Sequence, residues 1–274
     1  MTTKELVIKS IEYRKKILQY IVGANAGHTG GSLSCIDILN VLYNQVLKVS
    51  PENFKSPDRD RYIQSKGHTV EALYVVLADR GFFPEKDLET LCKYKSQYIG
   101  HPTKKVKGIE QNTGALGHGL PIAVGTAIAG KLDDRDYRVF TLLGDGELPE
   151  GSNWEAALTA SHYKLDNLCA ILDYNKLQIS GTTAEVCNTE PIDAKFESFG
   201  WSVKHVDGHD FEALKRTFDE MPFEKNKPSF IIAHTVKGKG VSYMENNVKW
   251  HHGVPNEQQY AEALLELDEL LVNK

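Results

Sequence analysis

The chain has 274 residues, of which 41% are hydrophobic and 25% charged, enough for one large α/β domain with a sizeable core. Its net charge of −5, with acids and bases interspersed, argues against a nucleic-acid surface. No apolar stretch reaches the length of a membrane span and the N-terminal Met-Thr-Thr-Lys-Glu has no signal-peptide core. The dispersed Cys35, Cys92, Cys169 and Cys187 form no CxxC pair and read as thiols of a reducing compartment, so a cytoplasmic location is expected.

Thr3 to Asn25 has the apolar spacing of an amphipathic helix, with Leu6, Ile11, Ile17, Leu18 and Ile21 on one face. A glycine-rich turn follows at Gly27-His-Thr-Gly-Gly31. Ser34, with Asp37 three residues on, reads as a capping box starting a second helix to about Leu47. The polar, proline-containing stretch 50–61 is a loop. Tyr62-Ile-Gln-Ser65 is a short strand, followed by the loop Lys66-Gly67-His68. Thr69 caps a helix to Arg80 that Gly81 stops, and Glu85 to Tyr94 forms another short helix.

Six glycines fall between Gly108 and Gly130. Gly114, Gly117 and Gly119 mark a loop; Gly125 and Gly130 lie in an Ala/Ile/Val-rich helix, where small residues permit close packing. The apolar runs Arg138–Leu143 and Leu168–Leu172, with a helix from about Gly151 to Tyr163 between them, read as a βαβ unit. Trp201–Val206 and Ser229–His234 are further strands, Asp210 caps a helix to Met221, and Asn256 caps a terminal helix. No linker, repeat or low-complexity tract divides the chain, so 1–274 reads as one domain.

The first run ends in Gly144-Asp145-Gly146-Glu147, and Asn175 follows the second, thirty residues after Asp145. Buried parallel strands deliver such residues to the carboxyl edge of the sheet, where open α/β sheets bind ligands. A site offering only oxygen suits Mg²⁺, Ca²⁺ or another hard cation bridging a phosphorylated cofactor. Ten histidines are present. Of these His28, His68, His101 and His252 each sit beside glycine in a loop between predicted elements, where binding groups concentrate. A zinc cluster would use tight HxxxH or CxxC spacings, which are not seen. Histidine also suits diphosphate binding and proton relay near neutral pH.

The ordered series Gly27-His28, Lys66-Gly-His68, Gly100-His-Pro102, Thr113-Gly-Ala-Leu-Gly117, Gly144-Asp-Gly146, Asn175 with Gln178-Ile-Ser-Gly181, and His252-Gly253 resembles transketolase. The likeness spans nearly the whole chain but only that family's N-terminal, diphosphate-binding domain. It implies the thiamine diphosphate-binding fold, a central mostly parallel sheet flanked by helices. By the resemblance, Asp145, Asn175 and the Leu177 carbonyl hold the cation, and His68, Gly146, Asn175 and His252 contact the diphosphate. Gly114 accepts from the aminopyrimidine, Leu116 and Ile179 flank the thiamine rings, and Glu150 sits under the cofactor near a subunit interface. His28, His101 and His252 face the reacting carbons.

The family's aminopyrimidine-activating glutamate and phosphate-binding arginines lie in a second domain. A partner subunit with the pyrimidine-binding and C-terminal domains is therefore expected, in an α2β2 assembly acting on sugar phosphates. Departures from the family pattern are Thr29 for proline, His118 for glutamine, Thr103 for glutamate and the tandem His251-His252. The same-class alternative is a deoxyxylulose-phosphate-synthase-like half, a family that lacks the Gly-His-Pro seen at His101. A non-catalytic cofactor-binding module is the other, and it would have no need of His101.

Overall fold

The apolar runs Val139–Gly144 (β2) and Leu168–Tyr174 (β3) are buried on both faces, as strands in the middle of a parallel sheet must be. The computed structural model describes residues 1–272; positions 273–274 of the expected single domain lie outside the described residues. With β1 (Arg61–Gln64), β4 (Ser202–Asp207) and β5 (Ser229–His234) the strands form one all-parallel sheet in the order β1-β2-β3-β5-β4.

Alternation along the strands divides the core in two. Phe140 and Leu142, Cys169 and Ile171 face helices α1 (Thr3–Ala24), α2 (Thr29–Val41), α3 (Val70–Asp79), α8 (Phe211–Asp219) and α9 (Glu257–Val272). Val139 and Leu143, Leu168, Ala170 and Leu172 face α4 (Gly119–Leu132), α5 (Gly151–His162) and α7 (Ile192–Ser198). The result is a helix–sheet–helix sandwich. The small α6 (Thr183–Val186) and α7 were not among the elements read from the sequence; a Thr182–Glu185 capping box starts α6.

Several boundaries move for tertiary reasons. Helix α2 begins at Thr29, so the supposed glycine turn is its first turn, and it widens into a π-helical turn at Leu42–Val46. Ser34 and Asp37 therefore form no capping box. Both are buried inside α2, where Ser34 Oγ donates to Asp173 at 2.6 Å and Asp37 accepts two 2.8 Å bonds from Arg14. Thr69 occupies the N-cap position of α3 without a capping bond; its hydroxyl donates to the Lys66 carbonyl at 3.0 Å and accepts from the Gln64 amide at 2.9 Å. The expected helix 85–94 is one 3₁₀ segment, Glu85–Thr90. Gly81, at φ +78°, does stop α3, and Asp210 and Asn256 do cap α8 and α9.

The register brings the strand ends level. Gly144 stands opposite Asp173, and Asp173 opposite Ala233. The residues following β1, β2, β3 and β5 therefore emerge at one edge.

Two glycines of α4 have opposite surroundings. A Cβ on Gly119 would collide with the Ser65 main chain, whereas one on Gly125 would meet nothing within 4 Å. Urea unfolding of the chain should show Gly119→Ala destabilised by about 1–3 kcal/mol through overpacking. Gly125→Ala should gain roughly 0.5–1 kcal/mol from helix propensity. Equal effects at the two positions would contradict this packing of α4 on the β1 end.

Candidate functional site

At the carboxyl edge, the residues after β1, β2, β3 and β5, the first turn of α2 and the loops around His101 and His251 surround a cavity of about 240 Å³. Ten of the residues singled out from the sequence line it: His28, His68, His101, Gly114, Leu116, Asp145, Gly146, Asn175, Leu177 and Ile179. His252 stands exposed at the rim, its ring centroid 4.1 Å from that of His28. Glu150 is exposed at the N-cap of α5, outside the lining. Lys66, Glu147, Gln178, Lys237 and His251 also line the cavity; no role was read from the sequence for Lys66, Glu147, Gln178 or Lys237, and of the tandem histidines that reading favoured His252, whereas His251 is the one in the lining.

One end of the cavity is oxygen-rich. Asp145 accepts the Gly146 N–H at 2.7 Å and the Lys176 N–H with its other oxygen. The Asn175 side-chain oxygen accepts the Leu177 N–H at 3.1 Å, and the Leu177 carbonyl accepts Lys237 Nζ at 2.9 Å. Beneath them Asp173 is fully buried and accepts from Lys66 Nζ, Ser34, Thr235 and Asn175. Burial works against the Asp173 charge, but the Lys66 ammonium overrules it and holds the carboxyl below the usual range.

Lys66 is thus committed to Asp173. Burial, then the Asp173 charge, pushes Asp145 up to about 6. Burial and the nearby Lys66 bring Lys237 down to about 8. An oxygen-only donor set carrying a carboxylate is what a hard divalent cation requires, and Lys237 supplies the positive charge at the Leu177 carbonyl here. The buried side-chain nitrogen of Gln178 has no hydrogen-bond partner, which leaves a donor for an anionic oxygen in the cavity. A Cβ on Gly146 would stand 2.8 Å from that of Gln178, so glycine is required between them.

The other end is a group of imidazoles. The His28 ring lies 5.1 Å from His68, 6.2 Å from His101 and 5.6 Å from His251, centroid to centroid. Burial, then the neighbouring His252 and His101, drives His28 down to about 3; burial and Lys237 do the same to His251. His68 and His101 are lowered too, by burial first. These four rings are therefore neutral near pH 7, able to accept or donate a hydrogen bond at a ligand oxygen. Gly114, at φ +133°, brings its backbone against the His101 ring where a side chain would collide. Leu116 is half-buried and Ile179 is 63% exposed, an apolar rim to the opening.

Two buried carboxyls brace this arrangement. Glu147 accepts from Ser65 Oγ, from Gly117 N at 2.9 Å and from Gly144 N at 3.0 Å, joining the ends of β1 and β2 to the glycine loop. Glu71 of α3 lies behind His28. It accepts the Ser32 hydroxyl at 2.9 Å and the His28 N–H at 3.4 Å, and burial pushes it up to about 7. The signals for the overlooked residues were adjacency alone: Glu147 in Gly-Asp-Gly-Glu, Lys66 before Gly-His, and Lys237 in the Lys237-Gly-Lys-Gly240 turn.

Residues 7–266 match the family model for the transketolase thiamine diphosphate binding domain. The chain is 49% identical over 269 residues to an apulose-4-phosphate transketolase subunit from Phocaeicola vulgatus, covering 98% of this chain and 96% of that one. It is 40% identical over 256 residues to the 6-deoxy-6-sulfo-D-fructose transketolase subunit SqwG of Clostridium sp., with 93% of each covered. The crystal structure of Campylobacter jejuni transketolase superposes with a TM-score of 0.91 at 31% identity, over 98% of this chain and 43% of that one.

The raised Glu71 carboxyl has a defined effect on stability. Its folded pKa of about 7 exceeds the ordinary 4.5, so the folded state holds the proton more tightly. Stability from this group is therefore full below about pH 4.5 and is lost as pH rises through 7. Urea unfolding at pH 5 and pH 8 should show Glu71→Gln losing less stability than wild type across that interval, by on the order of 3 kcal/mol. Parallel losses in both proteins would show that Glu71 does not titrate there.

Proposed function

The chain belongs to the transketolase family, and from that premise we propose that it is the diphosphate-binding subunit of a split transketolase, moving a two-carbon ketol unit from a ketose phosphate to an aldose phosphate with a partner subunit. One observation carries this reading: the oxygen set of Asp145, Asn175 and Leu177 and the neutral imidazoles of His28 and His101 line the same cavity. A plain cofactor-binding module would need only the first half of that arrangement.

Bound thiamine diphosphate supplies the carbon nucleophile and electron sink for ketol transfer. In this reading Asp145, Asn175 and the Leu177 carbonyl hold Mg²⁺, with Ca²⁺ or Mn²⁺ as chemically competent substitutes. His68, Gly146, Asn175 and the unpartnered Gln178 amide face the diphosphate. Gly114, Leu116 and Ile179 border the rings and exclude water. His28, His101 and His252 bind substrate hydroxyls and move protons at them. Glu150, on the outer surface, serves the subunit boundary rather than the cavity itself.

The partner has two supports. The apulose-4-phosphate and sulfofructose relatives, matched over nearly their whole length, are themselves named as subunits. The cavity of about 240 Å³ is also smaller than the roughly 300–1,000 Å³ of a complete small-molecule site, which suits one wall of a shared cleft. Leu132 is 81% exposed on α4 and Leu158 is 55% exposed on α5. Exposed leucines on these two helices are compatible with burial against other subunits in an α2β2 assembly built on one diphosphate-side domain per chain. No helix among the described residues is long and apolar enough to cross a membrane, and a cytoplasmic site of action completes the reading.

The cation assignment is tested by calorimetric titration of the two-subunit complex with thiamine diphosphate, with and without Mg²⁺. Removing the charged ligand in Asp145→Ala should weaken cofactor affinity about tenfold or more and abolish its Mg²⁺ dependence. Unchanged affinity would sink the assignment. A second measurement concerns the split itself. The purified chain alone should give no ketol transfer between ketose and aldose phosphates, and turnover should rise to a plateau as partner is added. Robust turnover by the single chain would refute a shared site.

A further inference from the structure

The tandem His251-His252 is held against α2 by a built contact. Thr29, fully buried at the first position of α2, donates its hydroxyl to the Gly253 carbonyl at 2.6 Å. One residue on, Gly30 packs so closely that a Cβ would stand 3.0 Å from both the Trp250 carbonyl and Lys237 Cγ, and its own carbonyl accepts Gly238 N–H at 2.9 Å. Gly253 in turn lies on the Trp250 indole, where a Cβ would stand 2.7 Å from the ring. The loop therefore has a defined seat. On that seat His252 faces His28 at 4.1 Å, ahead of the buried rings.

The ring nitrogens of His28, His251 and His252 lie within 4.8 Å of one another, close enough to suggest a metal ion. Lys237 opposes that occupant. Its Nζ is 2.8 Å from His251 Nδ1, so one ring nitrogen of the trio is already engaged. Imidazoles flanked by a buried amine suit hydroxyl or carbonyl oxygen instead.

We propose that Thr29 is a positioning residue whose hydroxyl latches the 251–253 loop, so that His252 forms a second imidazole wall at the cleft mouth and helps select the ketose donor by its hydroxylated end. This rests on the ketol-transfer reading. The latch is specific to chains with a hydroxyl here: proline, which stands at this position in the usual family pattern, has no donor to offer Gly253. At the first helical position proline also loses no intrahelical bond, so Thr29→Pro removes the hydroxyl while leaving the helix start feasible. Gly253 is only half-buried, so water can replace the hydroxyl at its carbonyl when the latch opens.

The latch is read first without catalysis. Hydrogen exchange of residues 248–254 in the full chain should speed up about 3- to 10-fold in Thr29→Val and in Thr29→Pro, the worth of one hydrogen bond, and return to wild-type rates in Thr29→Ser. Exchange unchanged in Thr29→Val overturns the latch. The two-subunit complex is then assayed with xylulose 5-phosphate as donor probe. Thr29→Val should raise KM for the ketose by a similar factor, with kcat and thiamine diphosphate affinity near wild type. His252→Ala should raise that KM at least as far and lower kcat besides, and the double variant should show no further rise in KM over His252→Ala alone. Additive losses, or loss of cofactor affinity along with KM, would show that Thr29 does not act through His252. A wild-type complex that binds cofactor but moves no ketol unit would refute the functional reading, while the exchange experiment still decides the latch.

Discussion

One carboxylate organises the edge of this sheet. Asp173, at the end of β3, takes Lys66 from beyond β1, Ser34 from α2, Thr235 from beyond β5 and Asn175 from its own strand end. The segments that carry the site are therefore tied to one atom group under the cavity floor. The Asp173–Lys66 pair lies wholly out of water, where removing one member leaves the other as an isolated buried charge at a cost of about 3–5 kcal/mol. A buried pair is weak support for stability in itself; its role here is to fix which strand ends meet. The Asp145 and Asn175 oxygens and the imidazoles inherit their mutual placement from it.

The site is correspondingly charged with unrelieved burial. Asp145 and Glu71 sit well above ordinary carboxyl values, and the buried histidines well below theirs. Each departure has desolvation as its largest cause. A chain selected for stability alone would have placed apolar residues at these positions. The site instead holds ionisable groups whose charge is set by burial, the pattern expected where chemistry rather than stability places them.

The βαβ unit could be read from the sequence because its signal is collective. The runs Val139–Leu143, broken only by Thr141, and Leu168–Leu172, each followed within two residues by an acid, fit little but a strand buried on both faces, and Asp145 and Asn175 fell where the runs placed them. The histidines beside glycines were legible for a similar reason, since four repeats of one context outweigh a single occurrence. The start of α2 was not legible. Gly27-His-Thr-Gly-Gly31 has the composition of a turn, and only the close approach of Lys237 and Trp250 to Gly30 and of Thr69 to Gly31, all distant in sequence, accounts for glycines opening a helix there. Ser34 and Asp37 misled because local capping chemistry and long-range bonding to Asp173 and Arg14 use the same side chains. Lys66, Glu71, Glu147 and Asp173 are isolated polar residues within or beside apolar elements, and most of their side-chain partners are 39 or more residues away.

The apolar rim of Leu116 and Ile179 has a thermodynamic consequence beyond shielding the cleft. A surface that a second polypeptide and a small ligand would both cover couples their binding. If the partner raises cofactor affinity by some factor, the cofactor must raise partner affinity by the same factor, because the cycle closes. Where that factor exceeds one, the two halves of such an enzyme associate more tightly as the cofactor is supplied. Splitting the polypeptide in this way converts a vitamin level into an assembly constant.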